Sequence, residues 1–198
     1  SVAPTIDPSQ TTFATFYAAY QPLTGCPPYG SISSALSNDA DYYPTTWNCR
    51  PFIASRTDDM AYVNMKCLTP QIGSEMLIAI YNSDSNGMPS TLKAQATMDL
   101  NTTYRIRATL AAEIGQDLAF IKGSLYYVGW RGNSSGTNAT IQALSSGSLS
   151  TIAAGGGNNA MNYITAWIDA SATSVTPPST FGTDQTSTDG CPFIAGEF

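Results

Sequence analysis

The sequence predicts an all-β domain, an antiparallel sandwich or barrel, and three observations carry that expectation. Apolar and polar residues alternate with a period of two along several short runs, and clusters rich in Gly and Asn separate those runs. Residues that favour exposed helix faces are scarce, with three Lys and three Glu in 198 residues. Charged residues make up 11% of the chain against 42% hydrophobic, so Ser and Thr, about a quarter of it, must solvate the surface together with Asn, Gln and Gly. A chain of this length buries a core as one domain.

The first forty residues differ from the rest. Phe13, Phe16, Tyr17 and Tyr20 fall at i, i+3, i+4 and i+7 after Asp7-Pro8-Ser9, which reads as a one-sided aromatic helix with a start signal. A helix that short does not hold alone, so it must lie on the main domain or on a neighbouring copy. Gln21 to Asp41 carries Pro22, Gly25, Pro27, Pro28 and Gly30 with a Ser-rich tract and no period, a loop composition. Residues 1–40 are therefore read as an N-terminal arm, an attachment or a strap onto another subunit, and residues 41–198 as the β domain.

Within that domain Ala61, Val63, Met65 and Cys67 alternate with Tyr62, Asn64 and Lys66, a half-buried strand. Met76 to Tyr81 is apolar on both faces, as a central strand would be. Tyr104 to Ala108 alternates with Arg105 and Arg107 outward, and Leu125 to Trp130 and Tyr163 to Ile168 supply further aromatic and β-branched runs. Ser83 to Gly87, Gly132 to Asn138 and Gly155 to Asn159 separate them. Six or more such strands make a sandwich or barrel. In Thr109 to Ala119, Leu110, Ile114 and Leu118 sit at i, i+4 and i+8, so a short helix competes with a poorly patterned strand, and the strand is preferred. Pro-Phe-Ile-Ala occurs at 51–54 and again at 192–195, either as adjacent equivalent strands or by coincidence.

Composition also bounds the chemistry. A net charge of −6 excludes nucleic acid and anionic membrane as partners, since both need a basic footprint. The longest apolar run, Met76 to Tyr81, is too short to span a bilayer. Histidine is absent, which removes Ser-His-Asp, Cys-His and His-containing zinc chemistry. Cys26, Cys49, Cys67 and Cys191 allow three pairings if all are oxidised, and Cys67 reads as a small buried hydrophobe. Asn82-Ser83-Asp84-Ser85-Asn86-Gly87 fits the first six positions of a calcium loop, but Lys93 stands where the bidentate carboxylate belongs, so the segment is read as a polar hairpin. Gly155-Gly156-Gly157 reads as a flexible loop tip without a phosphate-binding pattern. Asp58-Asp59 is half of a glycosidase pair at most, in a chain where fourteen carboxylates make accidental pairs common. The expectation is a protein without catalytic activity, metal or cofactor.

Binding is better supported. Eleven Tyr and three Trp exceed what one core of this size needs. Tyr42, Tyr43, Trp47, Tyr62, Tyr126, Trp130 and Tyr163 lie near loops or on polar-looking faces, and aromatic rings beside Asn, Asp and Gln stack on sugar faces and bond hydroxyls. The competing assignment puts these rings in the core or against a second copy. Trp130, followed by Arg131, Gly132 and Asn133 at a strand end, is the first candidate, with Arg131, Asn133, Tyr126, Trp47 and Tyr62 completing the ligand-binding set.

Three stretches together carry a resemblance: Tyr43-Pro44 through Arg50-Pro51-Phe52-Ile53-Ala54-Ser55-Arg56-Thr57; Leu77-Ile78-Ala79-Ile80-Tyr81 with its turn Asn82 to Gly87 and Met88-Pro89-Ser90; and Gly123-Ser124-Leu125-Tyr126-Tyr127-Val128-Gly129-Trp130. Over residues 42–198 the chain resembles the C-terminal β-sandwich modules of bacteriophage tail fibres and related virion appendages. It departs from their pattern at Ser90, where a Gly is usual, and in the Tyr-Tyr-Val-Gly-Trp strand. The resemblance implies a jelly-roll-like sandwich, a homotrimer on the virion surface in contact with other virion proteins, and attachment to a receptor or host surface carbohydrate. No catalytic residue travels with it. Two functions follow: a receptor-binding module recognising host cell-surface glycan, or a structural virion protein, capsid-decorating or fibre-joining, that binds none.

Overall fold

The computed structural model describes residues 20–24, 36–39, 44–134, 136–144, 152–153, 163–164, 166–183, 185–187 and 191–198. In chain order the strands are β1 (Tyr20–Pro22), β2 (Leu36–Asp39), β3 (Trp47–Ile53), β4 (Asp58–Asp59), β5 (Tyr62–Thr69), β6 (Ser74–Ser83), β7 (Pro89–Asp99), β8 (Tyr104–Thr109) and β9 (Ala111–Ala112). They continue with β10 (Ala119–Phe120), β11 (Leu125–Ser134), β12 (Thr140–Leu144), β13 (Ile152–Ala153), β14 (Tyr163–Ile164), β15 (Ala166–Asp169), β16 (Gln185–Ser187), β17 (Cys191–Pro192) and β18 (Ala195–Glu197). No helix occurs among the described residues.

Two seven-stranded antiparallel sheets form a β-sandwich, as the alternation predicts. The first sheet centres on β5, which pairs with β8 along one edge and with β18 and β12 along the other; β1, β2 and β17 extend it. The second runs β16-β15-β3-β11-β6-β7-β9. Period-two alternation sends Val63, Met65, Cys67 and Ile106 from the first sheet, and Met76, Ile78, Ile80 and Val128 from the second, into one shared core.

The second sheet is covered on its other face as well. Trp47, Cys49, Leu77, Ala79, Tyr81 and Tyr127 pack there with Phe181, which belongs to the segment 170–183 laid over the strands. This is why Met76 to Tyr81 is apolar on both faces: β6 lies between β11 and β7 and meets a core on each side. Gly129, in register between Cys49 and Ala79, lets the Tyr81 ring cross β11, because a Cβ there would stand 3.1 Å from Tyr81 Cε2. Asp169 fastens the covering segment. Its buried carboxylate accepts the N–H groups of Ser171 (3.2 Å) and Ala172 (3.1 Å) on Oδ1 and of Gly182 (2.8 Å) on Oδ2, with the Ser171 hydroxyl at 2.7 Å.

The turn between β6 and β7 is the polar hairpin expected over Asn82 to Gly87. Gly87 has φ +76°, and Asp84 Oδ1 accepts the N–H groups of Asn86 and Met88, each at 2.8 Å. Lys93 is buried and donates to Asp117 Oδ1 at 2.8 Å. Cys67 is buried as expected; Cys49 and Cys191 are buried too, and all three are free thiols. Burial pushes the Cys191 thiol up to about 12, with Arg50 and Thr24 acting against it.

Several expectations meet a different outcome. Phe13, Phe16 and Tyr17 of the expected aromatic helix, Cys26 and the Gly155 to Asn159 cluster lie outside the described residues, while Tyr20, the last residue of that helix, opens strand β1 instead. Both described segments of the expected arm are strands of the first sheet: β1 pairs with β18 and β2 with β12. Leu23 is buried in the main core, and Thr24 Oγ1 donates to the Pro192 carbonyl (2.6 Å) and accepts the Ile194 N–H (2.7 Å). Ladders of three or four residues need no period, so a Pro- and Gly-rich composition concealed them. Thr109 to Ala119 breaks into β9, a turn and β10; its four-residue spacing marks no apolar face, since Ile114 is almost wholly exposed. The two Pro-Phe-Ile-Ala copies lie in opposite sheets, one ending β3 and the other crossing from β17 to β18.

Candidate binding surface

Five of the six candidate residues hold the fold together. Trp130, 2% exposed, and Tyr126 point from β11 into the shared core, where the Tyr126 ring stacks on Phe52 at 5.8 Å and meets Phe120 edge-on at 4.8 Å. Trp47 is fully buried on the other face of that sheet, its Nε1–H donating to the Ser174 carbonyl at 3.0 Å. Arg131 is buried and bridges two loops, donating from Nε to Thr45 O (3.0 Å) and from Nη2 to Thr173 O (2.9 Å). Asn133 is half-buried and donates to Glu75 Oε2 at 2.8 Å. Two coverings account for the correction: Trp130 and Tyr126 face the first sheet across the shared core, and segment 170–183 closes over the opposite face of the second sheet, where Trp47 lies, so both sides of the middle of β3 and β11 are inside. Tyr42, Tyr43 and the side chain of Tyr163 lie outside the described residues. Asp58 and Asp59 are exposed on β4, with Asp58 paired to Arg56 at 3.2 Å.

Tyr62, the sixth candidate, belongs to a surface that does face water. The outer face of the first sheet carries Tyr62, Asn64 and Lys66 on β5, Arg105 and Arg107 on β8, and Glu197 on β18. Arg107 lies over the Tyr62 ring, its Cζ 3.3 Å from the ring centroid. It donates to both oxygens of Glu197, from Nη2 to Oε1 (2.9 Å) and from Nε to Oε2 (3.0 Å). Arg105 donates from Nη2 to Glu197 Oε2 and from Nε to Asn64 Oδ1, each at 2.6 Å. Partial burial pushes the Glu197 carboxyl up, but bonds from Arg107 and Asn64 and the charges of both arginines outweigh it and hold the group below the usual carboxylate range.

A folded-state pKa below the unfolded one gives a contribution that is complete above about pH 4.3, the free Glu value, and vanishes as pH falls through the folded value. The urea midpoint is therefore expected to drop on acidification below that point. In Glu197→Gln the drop should be shallower. Identical profiles for the two proteins would remove Glu197 from the acid response.

Beside this cluster stands a residue the sequence reading passed over. Tyr104 opens β8 opposite Cys67, whose thiol points into the core, and alternation would send the Tyr104 ring inward as well. Instead its φ is +75° and the ring is 75% exposed. For a bulky L-residue the left-handed region costs about 1–2 kcal/mol. The loops flanking it are tied together: Gln71 N–H donates to Leu100 O at 3.0 Å and Leu100 N–H to Ser74 O at 2.9 Å. That end of the sandwich thus presents Tyr104 with exposed Asn101, Thr102, Thr103 and Ile72. The available signal was the polar triplet Asn101-Thr102-Thr103 before an aromatic strand start, but Tyr is the wrong residue type from which to infer a positive φ.

No family model matches the chain, and no curated protein matches it.

Proposed function

We propose that this chain is a non-catalytic receptor-binding module of a virion appendage of the tail-fibre kind, carried on the particle surface as a homotrimer and recognising host cell-surface glycan. The observation that carries the reading is Tyr104: an aromatic ring held in solvent by a backbone conformation that works against stability, beside Asn and Thr side chains able to bond sugar hydroxyls. Nothing in the packing of the described residues calls for that ring to be outside.

A second reading, a capsid-decorating or fibre-joining protein, draws on the opposite end of the sandwich. Ile53, Ile114 and Ile121 are 61%, 96% and 60% exposed there, an apolar set that a neighbouring subunit would cover.

A host-glycan array with Tyr104→Asn separates the two. Asn tolerates a positive φ, so the variant should be as stable as the parent or up to about 1 kcal/mol more stable. The expected result is saturable glycan binding by the parent that is lost in the variant at undiminished melting temperature. Binding that survives the substitution, or absence of binding by the parent, overturns the glycan reading.

A further inference from the structure

We infer that the outer face of the first sheet docks a carboxylate-bearing glycan chain, an inference that rests on the glycan reading of Tyr104 and narrows it to one chemical class. The chain has eight Lys and Arg against fourteen Asp and Glu, yet its exposed positive charge is concentrated. Arg50, Lys93 and Arg131 are buried and Arg56 is half-buried; of the four exposed cations, Lys66, Arg105 and Arg107 stand together on β5 and β8, and Lys122 lies at the other end of the sandwich. Lys66 is directly opposite Arg105 across the ladder, and Arg107 opposite Asn64.

Like charges directly opposite one another weaken a ladder, so the placing of Lys66 against Arg105 works against the pairing of β5 with β8. Among the described residues Glu197 meets both arginines, and the three cations outnumber that carboxylate on a chain whose net charge is −6. Glu197 and Asn64 also fix the two guanidinium planes, and Tyr62 supports one of them from below. Planar groups already held in place lose little rotamer freedom when they meet a carboxylate. Tyr104 immediately precedes Arg105 on β8, so an exposed ring for a sugar face adjoins fixed cations for its acid group.

The charge balance favours a sparse polyanion over a dense one. A nucleic acid or polyphosphate brings closely spaced charges that need many cations to answer them, and the acidic remainder of this chain repels them. Carboxylates spaced along a neutral saccharide match three cations on one face.

The test uses the full chain against three immobilised polymers: polygalacturonate, the same polymer with its carboxyls reduced to alcohols, and polyphosphate. Salt-sensitive binding to polygalacturonate is expected, roughly tenfold tighter than to the reduced polymer. Lys66→Glu, at an exposed position, should weaken the polygalacturonate interaction roughly tenfold, leave binding of the reduced polymer unchanged and not lower the melting temperature, since a carboxylate opposite Arg105 replaces a like-charge pair. Equal binding of the two saccharides, indifference to Lys66→Glu, or polyphosphate binding as tight as polygalacturonate binding overturns the inference. Saccharide binding that is lost in Tyr104→Asn yet ignores Lys66→Glu overturns this inference alone, whereas silence toward both saccharides and toward host glycans removes the reading beneath it as well.

Discussion

Trp130→Ala is expected to lower the unfolding free energy by about 3–5 kcal/mol, the usual result of deleting a large aromatic from a closed core. The ring is 2% exposed and lies among residues from both sheets, so truncation leaves a cavity that two hydrogen-bonded ladders can close only in part. Urea titration followed by circular dichroism measures the loss, and an unchanged m-value would show that the denatured state has not altered. A cost below about 1 kcal/mol, within the range of surface substitutions, would contradict the packing described for β11. The size of the expected loss bears on any binding assay. A Trp130 variant that fails to bind glycan reports a weakened fold, which is why Tyr104 is the position to vary.

The second large effect is expected at Asp169. Replacing it with Ala strips the acceptor from the N–H groups of Ser171, Ala172 and Gly182 together, in a site where Asp169 is 3% exposed. A donor left unsatisfied in a buried place costs about 1–3 kcal/mol; Ser171 is exposed and Ala172 and Gly182 are half-buried, so water answers part of the loss and the total should be about 2–3 kcal/mol. The loss should be local first. Segment 170–183 lifts from the second sheet, and hydrogen exchange in it accelerates ahead of β5 and β8, while a hydrophobic dye gains access to Leu77, Tyr81 and Tyr127. Asp169→Asn keeps one acceptor oxygen and should recover part of the stability. Uniform exchange across both sheets in the Ala variant would refute a fastening role. Gly182 shares in the arrangement, since a Cβ there would come within 3.1 Å of the Asp169 carboxylate.

These two residues also mark where sequence reasoning stopped. Alternation in Ala61 to Cys67 and Tyr104 to Ala108, and the doubly apolar Met76 to Tyr81, were legible because a strand's own pattern records how many of its faces are covered. The Asn82 to Gly87 hairpin was legible because Asn and Gly meet a local backbone demand. What covers a face is not local information. Nothing within Leu125 to Arg131 says that one side of the strand will meet the first sheet, where Trp130 lies, and that residues 170–183 will close over the other, so Trp130 and Arg131 looked like a strand end open to water. The outward direction of Tyr62, Lys66, Arg105 and Arg107 could be read from period two. Their gathering around Glu197 could not, because it depends on the register of a strand more than 85 residues from either arginine. Tyr104 was hidden for a different reason: its exposure comes from one backbone angle that its residue type disfavours.

Sealing the second sheet on both sides divides the labour of this molecule between its halves. Most side chains of β3, β6 and β11 are committed to a core, so few exchanges there leave the fold intact. The exterior of β5 and β8 carries less of that obligation, since Lys66, Arg105 and Arg107 are exposed there. New partners can be acquired by editing that one wall, with the buttress behind it left as it was.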